Sequence, residues 1–263
     1  MAPGGFELRF LKNEKGLDLK GFCEKMAGIT AEGALAYPPG LVARTIAGPF
    51  FRRRGLRPVP RGAAEATPLS DAAVAADLGQ YRYLRLDAQR LGPPRGGRDW
   101  VVVLILAPGG GFATHSPELR RLIAGIELEP FARQGRLDEL ILVAEEEFFE
   151  KKNMTDVLRA ARRRQAGGAD PEGAAPFYSA HPFHVFSFDV LESQSVPPHR
   201  LLPEAEAAAL LARERLAAKS LPVIFASDPP VIWLGGREGQ VVEIRRPSPT
   251  AVLALYYRRV EDR

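Results

Sequence analysis

The chain has 263 residues, a formal net charge of +4 and an apolar fraction of 46%. That is enough apolar material for a packed core in one or two domains, and it argues against wholesale disorder. Its single cysteine, Cys23, excludes an internal disulfide and a multi-cysteine zinc site, and a mild pI near 9.3 permits nucleic-acid contact without demanding it. No apolar run reaches the ~18–20 residues that span a bilayer, and Phe6 to Lys20 is too charged to hold the apolar region of a signal peptide. One cysteine is compatible with a reducing, intracellular setting, and the Ala/Arg/Gly/Pro-rich usage reads as the imprint of a GC-rich genome.

Residues 1–80 read as a helical and loop entry segment. Leu17 to Met26 is the best helix, and Tyr37-Pro38-Pro39-Gly40 ends what precedes it. Phe51-Arg52-Arg53-Arg54-Gly55 opens a Pro/Ala-rich stretch, 51–80, expected as a loop. From Tyr81 the pattern becomes layered. Tyr81 to Leu86 alternates as a strand, Arg90 to Arg98 is a Gly/Pro/Arg turn, and Asp99 to Ala107 is a buried strand. Ser116 to Gln134 is a helix with Ser116 as N-cap, and Leu140 to Ala144 is a second buried strand. Asn153 to Arg164 is a helix, 165–176 a Gly/Ala/Pro loop, and Phe183 to Val190 a last strand. Residues 81–192 thus form an α/β domain, with a junction near Glu192–Val196.

The remainder, 193–263, reads as one helix on a small, mostly antiparallel sheet. Pro203, Glu204 and Glu206 suit a first helical turn, Leu210, Leu211 and Leu216 give the apolar stripe, and Lys219 closes the last turn. Asp228-Pro229-Pro230 and Gly235 to Gly239 are turns, Gln240 to Ile244 a strand, Arg246 to Pro249 a turn, and Val252 to Val260 the final strand. A module of roughly 65 residues has a marginal core, which suits a component of a larger complex.

Val196-Pro197-Pro198-His199, Arg213, Leu221-Pro222, Asp228-Pro229, Gly235, Gly239-Gln240, Arg246-Pro247-Ser248, Thr250 and Tyr257-Arg258 form a series that includes several rigid turn residues at fixed spacing. This series resembles the C-terminal domain of the fifth subunit common to eukaryotic nuclear RNA polymerases, a domain that also has an archaeal polymerase relative. The resemblance implies a non-catalytic, architectural subunit of a multisubunit DNA-directed RNA polymerase, without cofactor or metal. Those residues would then define the module that docks on the largest subunit and its neighbours. Over Tyr81 to Val190 the order of strands and helices is similar to the family's N-terminal jaw, a restriction-endonuclease-like α/β domain lacking that fold's catalysis. Archaeal relatives lack a jaw, so the pattern points to a eukaryotic-type subunit. Ile232 and Glu243 stand where the family usually has basic residues, Val252 where it has glycine and Pro249 where it has an acid. Such departures imply a divergent polymerase, with a large DNA virus as a natural source: nuclear if cellular, in the virion and the infected cell's cytoplasm or nucleus if viral.

Other chemistry finds thinner support in the residues. Asp99, Glu145-Glu146-Glu147 and Lys151-Lys152 are the acids and lysines a stand-alone metal-dependent nuclease would need, though an acidic run after a strand is usually a solvated edge. Pro108 to Gly111 lacks the following Gly-Lys-Ser/Thr of a phosphate loop. His181 and His184 flank Pro182 with no third ligand near, and Ser248, between two prolines, is no nucleophile elbow for His199 and Asp228. Arg52, Arg53 and Arg54, and Arg162, Arg163 and Arg164, read as surface runs able to meet the phosphates of downstream DNA weakly and without sequence preference. A free regulator that docks reversibly on the polymerase is a further alternative.

Overall fold

A computed structural model describes residues 37–60, 69–108, 117–150, 176–248 and 252–262. The chain divides into two compact units, Met1–Phe188 and Asp189–Arg263. Each is built on its own mixed sheet, so the fold is of the α+β kind.

The first unit carries five strands in the order β1 (Leu56–Pro58), β2 (Tyr83–Arg90), β3 (Trp100–Leu106), β4 (Leu137–Ala144) and β5 (Phe177–Pro182). The first three pair antiparallel; β3–β4 and β4–β5 are parallel. The runs Val101-Val102-Val103-Leu104-Ile105 and Leu140-Ile141-Leu142-Val143 are buried throughout. Such unbroken apolar, β-branched runs are what a strand covered on both faces requires. On one face Val102, Leu104, Leu140 and Leu142 pack against Leu119, Ile123 and Ile126 of helix α3 (Pro117–Glu127) and Phe131 of the short helix α4 (Pro130–Arg133). The register slips by one residue between Trp100 and Val101, opposite Leu137 and Glu139, which leaves Asp138 as the extra residue of a bulge.

Ahead of β1, helix α1 (Pro39–Thr45) runs into a π-helical turn over Ile46–Phe50 and one more α-turn, Phe51–Arg53. Pro49 lies inside the π turn and has no N–H to donate, so a widened turn omits nothing it could have bonded. Helix α2 (Asp71–Tyr81) is capped by Ser70, whose hydroxyl accepts from the Ala73 N–H at 3.2 Å, and ends at Arg82 with φ 63°. Gly40 lies so close to α2 that a Cβ there would meet the Asp71 carboxylate at 1.9 Å.

Several sequence expectations need correction here. The stretch 51–80, read as loop, contains β1 and most of α2, whose buried residues are only Val74 and Leu78. The strand expected over Phe183–Val190 lies earlier, at Phe177–Pro182; Phe183–Phe186 instead forms a 3-10 turn that buries Phe183, Val185 and Phe186. The single helix expected to Gln134 is broken into α3 and α4 by Pro130. Leu17 to Met26 and Asn153 to Arg164 lie outside the described residues.

The second unit has four strands in the order β6 (His199–Leu201), β8 (Val241–Ser248), β9 (Val252–Glu261) and β7 (Val223–Phe225). Only β7–β9 is parallel. Helix α5 (Glu204–Glu214) has Glu204 and Glu206 in its first turn and stops at Arg215, φ 52°, short of the expected Lys219. Asp228-Pro229-Pro230, expected as a turn, begins helix α6 (Pro229–Leu234), where the prolines occupy positions whose N–H groups no helix would use. Arg246 to Ser248, also expected as turn, continue β8. Val231, Val242, Ile244, Val260 and Ile224 form one core; Leu202, Leu210, Leu221 and Val241 form a second.

Candidate functional site

Much of the motif series in the second unit fixes backbone. His199 pairs with Ile244 and donates from Nδ1 to the Pro197 carbonyl at 2.5 Å; burial, more than any partner, pushes its pKa down. The Pro222 carbonyl accepts from the Arg259 N–H at 2.9 Å, and Arg258 reaches the Val223 carbonyl at the same distance, so both hold the short strand β7. The Asp228 carbonyl accepts from Val231 and Ile232 and thereby starts α6 at Pro229. Its carboxyl receives no capping bond, and burial raises it to about 6 although Arg258 works the other way. Gly235 (φ 70°) ends α6, and Gly239 (φ 84°) donates to the Val260 carbonyl at 3.0 Å. Both lie in the left-handed region that disfavours side chains. Gln240 closes that turn by accepting from the Arg237 N–H at 2.7 Å.

Other members of the series are at the surface. Arg213 is exposed and pairs with its neighbour Glu214. Beyond Ile244 the β8–β9 hairpin carries Arg245, Arg246 and Pro247, all exposed, and Leu253, Leu255 and Tyr256, each about half exposed. Arg246 stacks over the Tyr256 ring at 5.3 Å, and Ser248 pairs with Val252. Thr250 lies outside the described residues.

Glu243 gathers a network that sequence reading did not find. Its buried carboxylate meets Arg200 at 3.3 Å and Arg245 at 3.1 Å, and Arg200 also meets Glu206 at 2.7 Å. Burial alone would raise the Glu243 pKa, but the two arginines outweigh it and hold it down. The signal lay in the pairing of Arg200 with Glu243 across β6 and β8, visible only once that register is known.

In the first unit, the Arg52 to Arg54 run is split. Arg52 and Arg53 are exposed, but Arg54 departs from the expected surface run: its side chain is 3% exposed and bonds Glu139 at 2.6 Å. Arg162, Arg163 and Arg164 lie outside the described residues, as do Lys151 and Lys152. The acids a nuclease would need do not converge. Asp99 is held by Arg136 and Gln89, each at 2.6 Å, at the start of β3. Glu145 follows the far end of the parallel strand β4, eight residues past Leu137, the partner of Trp100, which places it about 26 Å away along the sheet. His184 faces Glu146 at 3.3 Å, whereas the His181 ring packs against Phe186 and is pushed down to about 4 by burial. Ser248 stands four residues along β8 from the partner of His199, roughly 13 Å away, so no hydrolase triad forms. Among the described residues no three His, Cys, Asp or Glu side chains gather as metal ligands would, and no helix is long and apolar enough to cross a membrane.

Residues 188–260 match the family described as RNA polymerase Rpb5, C-terminal domain. A protein of African swine fever virus named DNA-directed RNA polymerase RPB5 homolog is 35% identical over 160 residues, 61% of this chain and 72% of that one. This chain belongs to the RPB5 family. Proteins of the same name from other isolates of that virus agree at 35% over 158 residues, 60% of this chain and 71% of theirs. The DNA-directed RNA polymerase subunit Rpo5 of Thermococcus onnurineus is 48% identical over 75 residues, 28% of this chain and 92% of its own. The archaeal match is thus confined to a stretch about the size of the second unit, whereas the viral match is more than twice as long. The family expected from the motif series, its archaeal kinship and its divergent viral character all agree with these relatives.

Proposed function

We propose that this protein is a non-catalytic, virus-encoded subunit of a multisubunit DNA-directed RNA polymerase. Residues 193–263 dock on the largest subunit and its neighbours. The first unit serves as a jaw beside downstream DNA, similar in plan to restriction-endonuclease-like domains but without their catalysis. The observation that carries the reading is the contiguous family match over residues 188–260, which covers nearly all of a unit with its own cores and a hairpin of exposed apolar and basic residues. Nucleotide addition and its metal ions belong, on this reading, to the large subunits, and this chain needs no cofactor. Exposed Arg52 and Arg53, with Arg162 to Arg164, would supply weak, sequence-independent contact with DNA phosphates. The protein would be found in the virion and in the infected cell's cytoplasm or nucleus.

The test is affinity purification of the tagged chain from its native source, with mass spectrometry and stoichiometry of what accompanies it. One copy per pair of large polymerase subunits is expected. Substoichiometric, reversible recovery would instead make it a free regulator. Recovery alone, or with repair proteins, would overturn the subunit reading and send the α/β unit to a cleavage assay.

A further inference from the structure

The hairpin of the second unit has one blocked edge and one open edge. The Val260 N–H donates to the Gln240 carbonyl at 2.8 Å, and the Val260 carbonyl accepts from Gly239 at 3.0 Å. Even-numbered residues of β9 therefore turn their backbone groups toward β8, and odd-numbered ones turn them away. The Arg259 N–H obeys this rule by donating outward to Pro222. Strand β7 covers only Arg259–Glu261, so among the described residues no strand faces the outward N–H and C=O groups of Leu253, Leu255 and Tyr257. On β8 the same alternation makes Val241, Glu243, Arg245 and Pro247 the outward residues. Val241 accepts from Leu202 and Arg245 donates to Pro198, while Pro247 has no N–H to offer. A proline at an outward position is a usual device against edge-to-edge pairing. The β9 edge has no such device, and it adds Leu253 and Leu255, 51% and 50% exposed.

We infer that the β9 edge over Leu253–Tyr257 takes up an extended segment of a partner polymerase chain as an added strand, apolar at alternate positions with carboxylates between. The inference rests on the reading of this unit as a polymerase docking module. The outward backbone groups supply the ladder, and Leu253 and Leu255 supply side-chain contact to the added strand's apolar positions. Charge specifies the rest. Arg245 and Arg259 are held by Glu243 and Glu261, each at 3.1 Å, whereas exposed Arg246, stacked over Tyr256 beside Leu255, presents its charge to the added strand's carboxylates. Nucleic acid fits less well: a phosphodiester backbone accepts hydrogen bonds but has no donors for the outward carbonyls, and it gains nothing from half-exposed leucines.

The test is hydrogen exchange on the full chain, free and within the polymerase purified through a tag on this chain, read at the Leu253, Leu255 and Tyr257 amides. Strand addition slows all three by about 100-fold or more on assembly, because each N–H acquires a partner. Assembly that leaves them fast overturns the inference while sparing the docking reading. Failure to recover the other subunits overturns both. Equal protection by a short DNA duplex alone would make the edge a nucleic-acid contact and overturn it as well. As an independent check, Leu255→Pro removes one outward N–H and no bond to β8, and should lower recovery with the polymerase about tenfold. Leu255→Val keeps the N–H and should leave recovery within about twofold. Equal recovery of the two variants would overturn the inference.

Discussion

Arg54 and Glu139, 85 residues apart in the chain, form an ion pair at 2.6 Å with both side chains all but sealed from water. The pair ties the last helical turn before β1 to the bulged start of β4. Arg90 repeats the arrangement on the adjacent Asp138 at 2.5 Å, so both acids that open β4 are neutralised from other elements.

Removing one member of such a pair strands the other charge in the interior. Arg54→Ala should therefore cost the first unit about 3–5 kcal/mol. The double change Arg54→Met with Glu139→Leu, which removes both charges, should recover most of it. Denaturant unfolding of the first unit measures both variants; a mild Arg54→Ala would mean that water reaches Glu139.

His181 gives that unit a dependence on pH. Its folded pKa, about 4, lies below the ordinary 6.5 because burial disfavours the charged ring. The folded protein therefore binds fewer protons than the unfolded one across this window. Stability is full above about 6.5 and lost as pH falls toward 4, by roughly 3 kcal/mol. His181→Gln should flatten the slope, which unfolding measured at pH 7.5, 5.5 and 4.5 would reveal.

In the second unit Asp228 runs the opposite way. Its folded pKa, about 6, is raised from 3.8, so its contribution is present below the unfolded value and is lost as pH rises through 6. The expected loss is roughly 3 kcal/mol. Asp228→Asn should make this unit more stable at pH 7.5 and remove the fall in stability between pH 4 and 7, leaving the opposite, rising dependence that burial of His199 gives. The carboxyl caps no helix N–H, so the amide forfeits no such bond.

Glu243→Lys would put a cation between Arg200 and Arg245 at a buried position. A loss of about 2–4 kcal/mol is expected, larger at low salt than at high. Thermal unfolding of the second unit across a salt series measures this. An unchanged midpoint would mean that the two arginines stabilise nothing through Glu243.

What the sequence revealed follows from how local each signal was. The buried strands β3 and β4 are legible because their apolar runs need no partner to be recognised. Helix α2 escaped notice because alanine fills its surface and only Val74 and Leu78, one turn apart, face the core. The alternation of apolar and polar residues along Phe183 to Val190 imitated a strand, yet Phe183, Val185 and Phe186 are buried by a 3-10 turn, while the true strand just before it is set by parallel pairing with β4. Turn residues such as Gly235 and Gly239 announced themselves, since backbone geometry is a property of the position. Charge partners did not: Arg54 looks like Arg52 in the sequence and differs only in what the fold brings opposite it.

The order of strands in the second unit also bears on when it can form during synthesis. Both β6 and β7 pair only with strands that come later, β6 with β8 and β7 with β9, and β9 lies between β8 and β7. In a nascent chain that has emerged only as far as Gly239, the second unit therefore has helices and two orphan strands but no sheet of its own. On the docking reading proposed above, the surface that docks comes into being only with the Val241–Glu261 hairpin, so that reading ties uptake by the polymerase to a finished second unit.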